Sequence, residues 1–371
     1  MTNATAFSTQ IQVTVGELPR LIKDAAIAGR SLMIHGSPGL GKSAACWDAA
    51  TGLAMSHGHR SVALLSDIRK LTNPEEHFGL FDVRLSQCDP VDFGLPYADI
   101  ETGIQRRLSP DWFPSTDRKD IPDHGILLLE EVVSATPAVQ AAAYQLTFDK
   151  RNGDKEMKPG WSIVLTGNLM TDGGVVNKMP TPLANRLLHV YVVSSNDGWT
   201  QWAIDHDIEP VLIAFLRFRP MLLNTFAKHV EKRSKDHAFA TERSWHAVHD
   251  LIRANATVHP ALVAGAVGNG PAVEFNAFRE IWQSMPNIDG ILMDPSGAPV
   301  PEDTAVRYAV CTALAARATG ANFDLICQYI ERLPTTYTIM TIKDCAQRKK
   351  GEITSTRAFI KCASQYGEYL N

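Results

Sequence analysis

Eight consecutive residues, Gly36-Ser37-Pro38-Gly39-Leu40-Gly41-Lys42-Ser43, have the types and spacing to grip a polyphosphate. They spell G-x-x-x-x-G-K-S. In such a loop glycines let backbone N–H groups turn inward around phosphate oxygens, the lysine reaches the outer phosphates, and the serine hydroxyl ligates Mg²⁺. A second constellation is Glu130-Glu131, at the end of the apolar run Ile126-Leu127-Leu128-Leu129. Beside a phosphate loop, Glu130 reads as a Mg²⁺ ligand, direct or through water, and Glu131 as the group that orients and polarises an attacking water. Standing alone, the two acids would read rather as caps of the helix that starts near Thr136-Pro137. Asn168, in Thr166-Gly167-Asn168, is the candidate for a polar group between these acids and the terminal phosphate, with Thr166 as the alternative. Its bland reading is a turn residue ahead of Asp172-Gly173-Gly174. Two arginines complete the set. Arg186 is either a surface ion-pair residue or a cation aimed at the transferred phosphoryl group. Arg243 falls in the first turn of a helix capped by Thr241, where cations are disfavoured, an anomaly explained if it reaches an anion.

These groups need elements that bring them together. Ser31-Leu32-Met33-Ile34-His35 suits a buried strand, and Ala44-Ala45-Cys46-Trp47-Asp48-Ala49-Ala50 is rich in helix formers, so the loop has the strand, glycine turn and helix that its chemistry requires. The helix N-terminus adds partial positive charge to the site. Gly36, Ser37, Pro38, Gly39, Leu40, Gly41, Lys42, Ser43 and Ala44 are therefore the expected nucleotide-contacting stretch. Residues 126–129 form a continuous apolar run, as a strand buried on both faces of a parallel sheet does, and charges at its carboxyl end sit where ligands bind in open α/β sheets. Trp161-Ser162-Ile163-Val164-Leu165 reads as a further buried strand. The fold class is α/β in this half of the chain.

Composition sets the wider frame. The 371 residues are 45% apolar and 20% charged, too long for one ordinary core and free of any apolar run near the ~18 residues of a membrane span. Met1-Thr2-Asn3-Ala4-Thr5 lacks the basic-then-apolar pattern of a signal peptide. A formal net charge of −4 does not mark a general nucleic-acid binder. None of Cys46, Cys88, Cys311, Cys327, Cys345 and Cys362 forms a C-x-x-C pair, so core thiols in a reducing cytoplasm are the expectation.

In chain order, Ile11-Gln12-Val13-Thr14 alternates like an edge strand, and residues 15–28 show helical spacing with Pro19 in the first turn and Gly29 as the stop. Ser61-Val62-Ala63-Leu64-Leu65 fits a short strand or a helix, and Phe81-Asp82-Val83-Arg84-Leu85 a strand. Residues 101–114 read as a hairpin on a loop, with Arg106, Arg107, Trp112 and Phe113 as its presented groups or as a small apolar anchor. Thr181-Pro182-Leu183-Ala184-Asn185-Arg186 leads into a last strand, Leu187-Leu188-His189-Val190-Tyr191-Val192. Beyond residue 195 the chain reads as helices, with Lys232-Arg233-Ser234-Lys235-Asp236 a solvated charge run and no catalytic constellation after about residue 265.

The ordered set resembles the AAA+ ATPases, most closely the MoxR-type branch. Residues 36–43 match the first nucleotide motif, 126–131 the second, and Thr166-Gly167-Asn168 the first sensor. Leu183-Ala184-Asn185-Arg186 matches the arginine-finger segment and Glu242-Arg243-Ser244-Trp245 the second sensor. The motifs cover roughly residues 15–255. The family's usual Asp-Glu is Glu130-Glu131 here, and Leu187 stands where an aromatic commonly follows the finger arginine. The resemblance implies an AAA+ core with a five-stranded parallel sheet over residues 1–195, a helical lid over 196–265 and a helical extension over 266–371. It implies a homo-hexameric ring with ATP and Mg²⁺ at subunit interfaces, Glu131, Asn168, Arg186 and Arg243 catalytic, and Ser43 and Glu130 holding the metal. Arg186 would act in trans on a neighbour's nucleotide. The 101–114 hairpin would be an insert facing a client, and the work done would be chaperone-like remodelling of a protein, with a partner carrying a von Willebrand factor A domain. The alternatives are a nucleic-acid-directed motor or loader, or a module in which ATP drives assembly and turnover is slow.

Overall fold

The computed structural model describes residues 11–173, 177–232, 236–255 and 257–370, and the chain divides into two units between Ser194 and Ser195. The five N-terminal residues read for a signal peptide, Gly174, and Arg233, Ser234 and Lys235 of the charge run lie outside the described residues.

The first unit is arranged around the apolar run before the paired acids. Its elements are β1 (Gln12–Thr14), α1 (Leu18–Ile27), β2 (Leu32–His35), α2 (Lys42–Ser56), β3 (Ser61–Leu64), β4 (His77–Arg84), β5 (Leu95–Asp99), β6 (Ile104–Leu108), β7 (His124–Glu130), α3 (Pro137–Asp149), β8 (Arg151–Asn152), β9 (Lys155–Glu156), β10 (Gly160–Gly167), α4 (Thr181–Ala184) and β11 (Leu188–Val193). Seven of these strands form one parallel sheet among the described residues, in the order β1-β11-β2-β10-β7-β4-β3. Side chains of β7 alternate between two cores. Ile126 and Leu128 pack with Leu18, Ile22 and Ala49 from α1 and α2, whereas Leu127 and Leu129 pack with Val139, Ala143 and Leu146 from α3. Burial on both faces is why the run is unbroken in the sequence.

The sheet has seven strands rather than the expected five. The two extra members are short edges, β1 against β11 and β3 against β4. Residues 11–14 alternate like the edge strand they form, whereas 61–65 fit either a strand or a helix, and their pairing with β4 decides it. One close approach fixes the middle of the sheet. A Cβ on Gly79 would lie 2.4 Å from the Trp161 ring and one on Gly125 2.7 Å from it, so both strands are bare where the indole crosses them.

The hairpin differs from its expected bounds. It pairs β5 with β6, Leu95 opposite Leu108, and so begins before residue 101 and ends at 108. Trp112 and Phe113 are not presented groups: they are 7% and 0% exposed, and Trp112 meets Phe93 edge-on at 5.4 Å. An aromatic pair beyond the last strand is worth more in the core than on the surface. Arg106 is paired with Asp99 at 2.7 Å, while Leu95, Ile100, Ile104 and Leu108 are exposed.

The described part of the second unit is helical: α5 (Asn196–Asp205), α6 (Pro210–Phe218), α7 (Phe226–Glu231), α8 (Glu242–Ala254), α9 (Pro260–Val267), α10 (Asn269–Ser284), α11 (Ile288–Met293), α12 (Thr304–Ala316), α13 (Phe323–Ile330), α14 (Thr335–Arg348), α15 (Lys350–Thr354) and α16 (Arg357–Leu370). Phe215 of α6, a helix buried from Val211 to Leu216, meets Trp245, Phe275 and Phe278, so one apolar cluster runs from Trp199 across residue 265 to Ala309. Val310, Tyr329, Ile342 and Ile353 lie in a second cluster. Helix α12 contributes to both clusters. Arg217 of α6 forms a two-pronged ion pair with Asp344 of α14 in this interior.

Candidate functional site

Because the sheet strands run parallel, their carboxyl ends gather at one edge of the sheet. The glycine loop leaves β2 there, Glu130 ends β7, Arg84 ends β4 and Gly167 ends β10. The register puts Arg84 beside Glu130. The loop is tied to the neighbouring strand by a bond from Gly36 N to the Gly167 carbonyl, 3.1 Å. Gly39 and Gly41 adopt φ of 84° and 86°, a left-handed conformation that residues with a Cβ avoid. Gly41 is also the N-cap of α2, so the loop ends where the helix presents its unpaired N–H groups.

Within this frame several of the expected residues meet. Lys42 Nζ donates to the carbonyls of Gly36 (2.6 Å) and Ser37 (2.9 Å) and reaches Asn168 Oδ1 at 3.5 Å. The ammonium thus lies over its own loop, beside the sensor candidate. Thr166, the alternative to Asn168, is only 3% exposed within β10. Ser43 Oγ donates to Glu130 Oε1, which joins the two proposed metal ligands directly. The other oxygen of Glu130 faces Arg84 Nε at 3.5 Å. A hydroxyl oxygen and a carboxylate in contact are a donor set of the hard-oxygen type that Mg²⁺ takes, the rest of its shell commonly being waters and substrate phosphates.

Glu131 stands at φ 58°, ψ 33°, a left-handed conformation that is uncommon for a residue with a long side chain. Such backbone strain concentrates at functional positions. Its carboxylate accepts a hydrogen bond from Ser86 Oγ, on the turn after β4. Arg186 is held differently. Its guanidinium donates to the Tyr144 carbonyl (3.4 Å) and lies 5.1 Å from the centre of the Phe148 ring, against α3. Arg243 is exposed in the first turn of α8, in the second unit. Thr241 caps that helix, accepting from Ser244 N at 3.2 Å while Ser244 Oγ accepts from Thr241 N at 2.8 Å.

Other neighbours of the loop were not singled out by sequence reasoning. Asp172 accepts from Ser37 Oγ (2.9 Å) and from Leu169 N (2.8 Å), so a residue read as part of a turn clamps the phosphate loop to the chain after β10. His35, directly before Gly36, contacts His189 (Nε2 to Nδ1, 2.9 Å) and stacks on Tyr191 with ring centres 4.6 Å apart. Burial chiefly, then the neighbouring His189 and Lys42, pushes the His35 pKa down to about 4, so its ring is neutral at pH 7. Arg84, Ser86 and His189 carry no motif. Only the strand register brings them to the loop.

No protein-family model matches the chain, and no curated protein does. Among solved structures it is similar to NtrX from Brucella abortus in complex with ATP, at 14% identity, 95% of this chain and 67% of that one, TM-score 0.34. It is also similar to a mutant of RuvB from Thermotoga maritima, at 13% identity, 81% and 80%, TM-score 0.34. A third is a DNA polymerase III gamma subunit-related protein from Thermotoga maritima, at 10% identity, 96% and 92%, TM-score 0.29.

Proposed function

We propose that this chain is an Mg²⁺-dependent ATPase of the AAA+ class, of the MoxR type, working as a homo-hexameric ring in the cytoplasm to remodel or activate a protein partner. The observation that carries the reading is the contact between Ser43, in the glycine loop, and Glu130, at the end of a separate strand. Two sequence-distant residues expected to share one cation are side by side, next to a loop whose lysine covers carbonyls that a bound phosphate would leave free.

In this reading ATP is the substrate. Lys42 and the loop N–H groups hold its phosphates, and Asn168 steadies Lys42 at the outer end. When bound, Mg²⁺ neutralises phosphate charge, and Ser43 and Glu130 are the residues that would hold it. Glu131 orients the attacking water after leaving Ser86. Arg186, on the flank of the first unit, acts on the nucleotide of a neighbouring subunit, and Arg243 serves the nucleotide from the helical lid. The lid comprises the helices after residue 195, and the region after about 265 specifies the client or an adaptor with a von Willebrand factor A domain. The exposed hairpin β5–β6 is the surface offered to that client.

One observation favours the slow, assembly-switching alternative. Both acids are engaged, Glu130 with Arg84 and Glu131 with Ser86, which describes a resting site. The deciding experiment follows inorganic phosphate release and nucleotide binding by the parent chain, Lys42→Ala and Glu131→Gln. Turnover in the parent, loss of binding in Lys42→Ala, and binding without turnover in Glu131→Gln are expected. Turnover by Glu131→Gln at the parent rate would overturn the catalytic assignment.

A further inference from the structure

We propose that His189 is a positioning residue for Arg186, held in its working orientation by His35, so that the strand leading into the phosphate loop sets the place of the arginine. This rests on the reading of Arg186 as an arginine finger.

Three links make the connection. His189 Nε2 lies 2.8 Å from the Ala184 carbonyl, at the end of α4 and two residues before Arg186. A carbonyl only accepts, so Nε2 carries the hydrogen and donates. In the neutral imidazole Nδ1 is then the acceptor, and it faces His35 Nε2 at 2.9 Å, which must donate in turn. His35 is the last residue of β2 and is bonded through its backbone to Gly36. The rings are fixed by stacking as well. His189 and Tyr191 point to the same side of β11, and the His35 ring lies 5.2 Å from His189 and 4.6 Å from Tyr191, nearly parallel to both. Tyr191 and His35 are register partners in the sheet, so the stack cannot slip without breaking strand pairing.

The Ala184 carbonyl already accepts from Leu187 N at 3.2 Å, closing the turn that contains Arg186. The bond from His189 adds a second hold on that turn from the sheet side, while Tyr144 and Phe148 hold the Arg186 guanidinium from the α3 side. Arg186 thus sits between two anchors, one of which leads to the phosphate loop through two imidazoles. Removing the imidazole anchor lets the turn drift, and misplacement on the scale of 1 Å costs up to about 100-fold in a reaction that depends on positioning.

The test has two arms. In the first, turnover and KM for ATP are measured for Arg186→Ala, His189→Ala, His189→Gln and the double variant His189→Ala/Arg186→Ala. The expected result is a fall in kcat for His189→Ala of about 10- to 100-fold with KM within about twofold. His189→Gln, which keeps a donor for the carbonyl, recovers most of the rate, and the double variant is no slower than Arg186→Ala. Parent turnover in His189→Ala beside a slow Arg186→Ala, or a double variant slower by the product of both losses, overturns the proposal. If Arg186→Ala itself turns over at the parent rate, the finger reading fails, and the second arm judges the positioning alone. Coupling between ¹⁵N nuclei across the His35–His189 hydrogen bond should be seen by NMR in the parent. His35→Phe, which keeps the stack and removes the donor, should shift the backbone amides of residues 185–187. Absence of that coupling, or unmoved amides in His35→Phe, overturns it.

Discussion

Ser86 holds Glu131 by a hydrogen bond that bridges two neighbouring strands of the sheet, β4 and β7, at their carboxyl ends. A carboxylate bonded to that hydroxyl is turned toward β4, so the proposed role of Glu131 in orienting water requires the bond to open. A hydrogen bond of this kind contributes about 0.5–1.5 kcal/mol net. Ser86→Ala should therefore raise turnover by about 2- to 10-fold without changing ATP affinity, measured as phosphate release across an ATP titration. A fall in turnover would mean that Ser86 supports the working orientation of Glu131 instead.

Arg84 competes for the carboxylate that is proposed to face Mg²⁺. It shares the Glu130 side chain with Ser43 and is itself half exposed, so the pair is worth no more than about 1 kcal/mol. Arg84→Gln should strengthen Mg²⁺ binding by up to about fivefold, seen as a lower half-saturating Mg²⁺ concentration at fixed ATP. Glu130→Ala should move it the other way by more, since it removes a ligand. Unchanged Mg²⁺ dependence in Glu130→Ala would remove that residue from the metal site.

The half-buried imidazole beside the loop gives a pH signature. Folding lowers the His35 pKa from 6.5 to about 4, so the unfolded chain takes up the proton first as pH falls. Stability is then fully present above pH 6.5 and is lost progressively between about 6.5 and 4, at up to about 1.4 kcal/mol per pH unit from this group. His35→Gln should flatten that part of the profile in urea denaturation followed at several pH values. An identical slope in the variant would place the acid sensitivity elsewhere.

Arg217 and Asp344 tie α6 to α14 in the interior of the second unit, with the Asp344 side chain 4% exposed. Removing one partner leaves the other charge buried, which costs about 3–5 kcal/mol. Asp344→Ala should lower the unfolding midpoint of this unit sharply. Replacing both by apolar residues of similar volume should recover much of the loss. Equal damage from the single and double changes would mean that packing, not charge, is what the pair supplies.

How far the sequence discloses this site depends on how local each piece is. The glycine loop with its strand and helix is one contiguous stretch, and Glu130 follows an apolar run of the kind a strand buried on both faces has. Thr241 announces its helix as the hydroxyl residue just ahead of it. Ser86, Arg84, Asp172 and His189 meet their partners through strand register and loop return, which no short window encodes. The hairpin shows the opposite failure. Pro96 masks β5, a strand that tolerates it only because the hairpin is exposed, and of the two readings left open for Trp112 and Phe113 the structure takes the apolar one, burying them in the core with Phe93.

The left-handed backbone at Glu131 has a consequence for how this chain would respond to selection for heat tolerance. A glutamate held at φ 58° stores about 1–2 kcal/mol that a glycine at the same position does not. Glu131→Gly would remove that strain but also forfeit the Ser86 bond and free the unfolded chain. It should therefore melt close to the parent while lacking the proposed water-orienting group, and a screen that rewards only durability would not keep the glutamate in place. The residue best suited to the backbone there is not the one best suited to the proposed reaction, and that tension marks the position more clearly than its neighbours in the motif do.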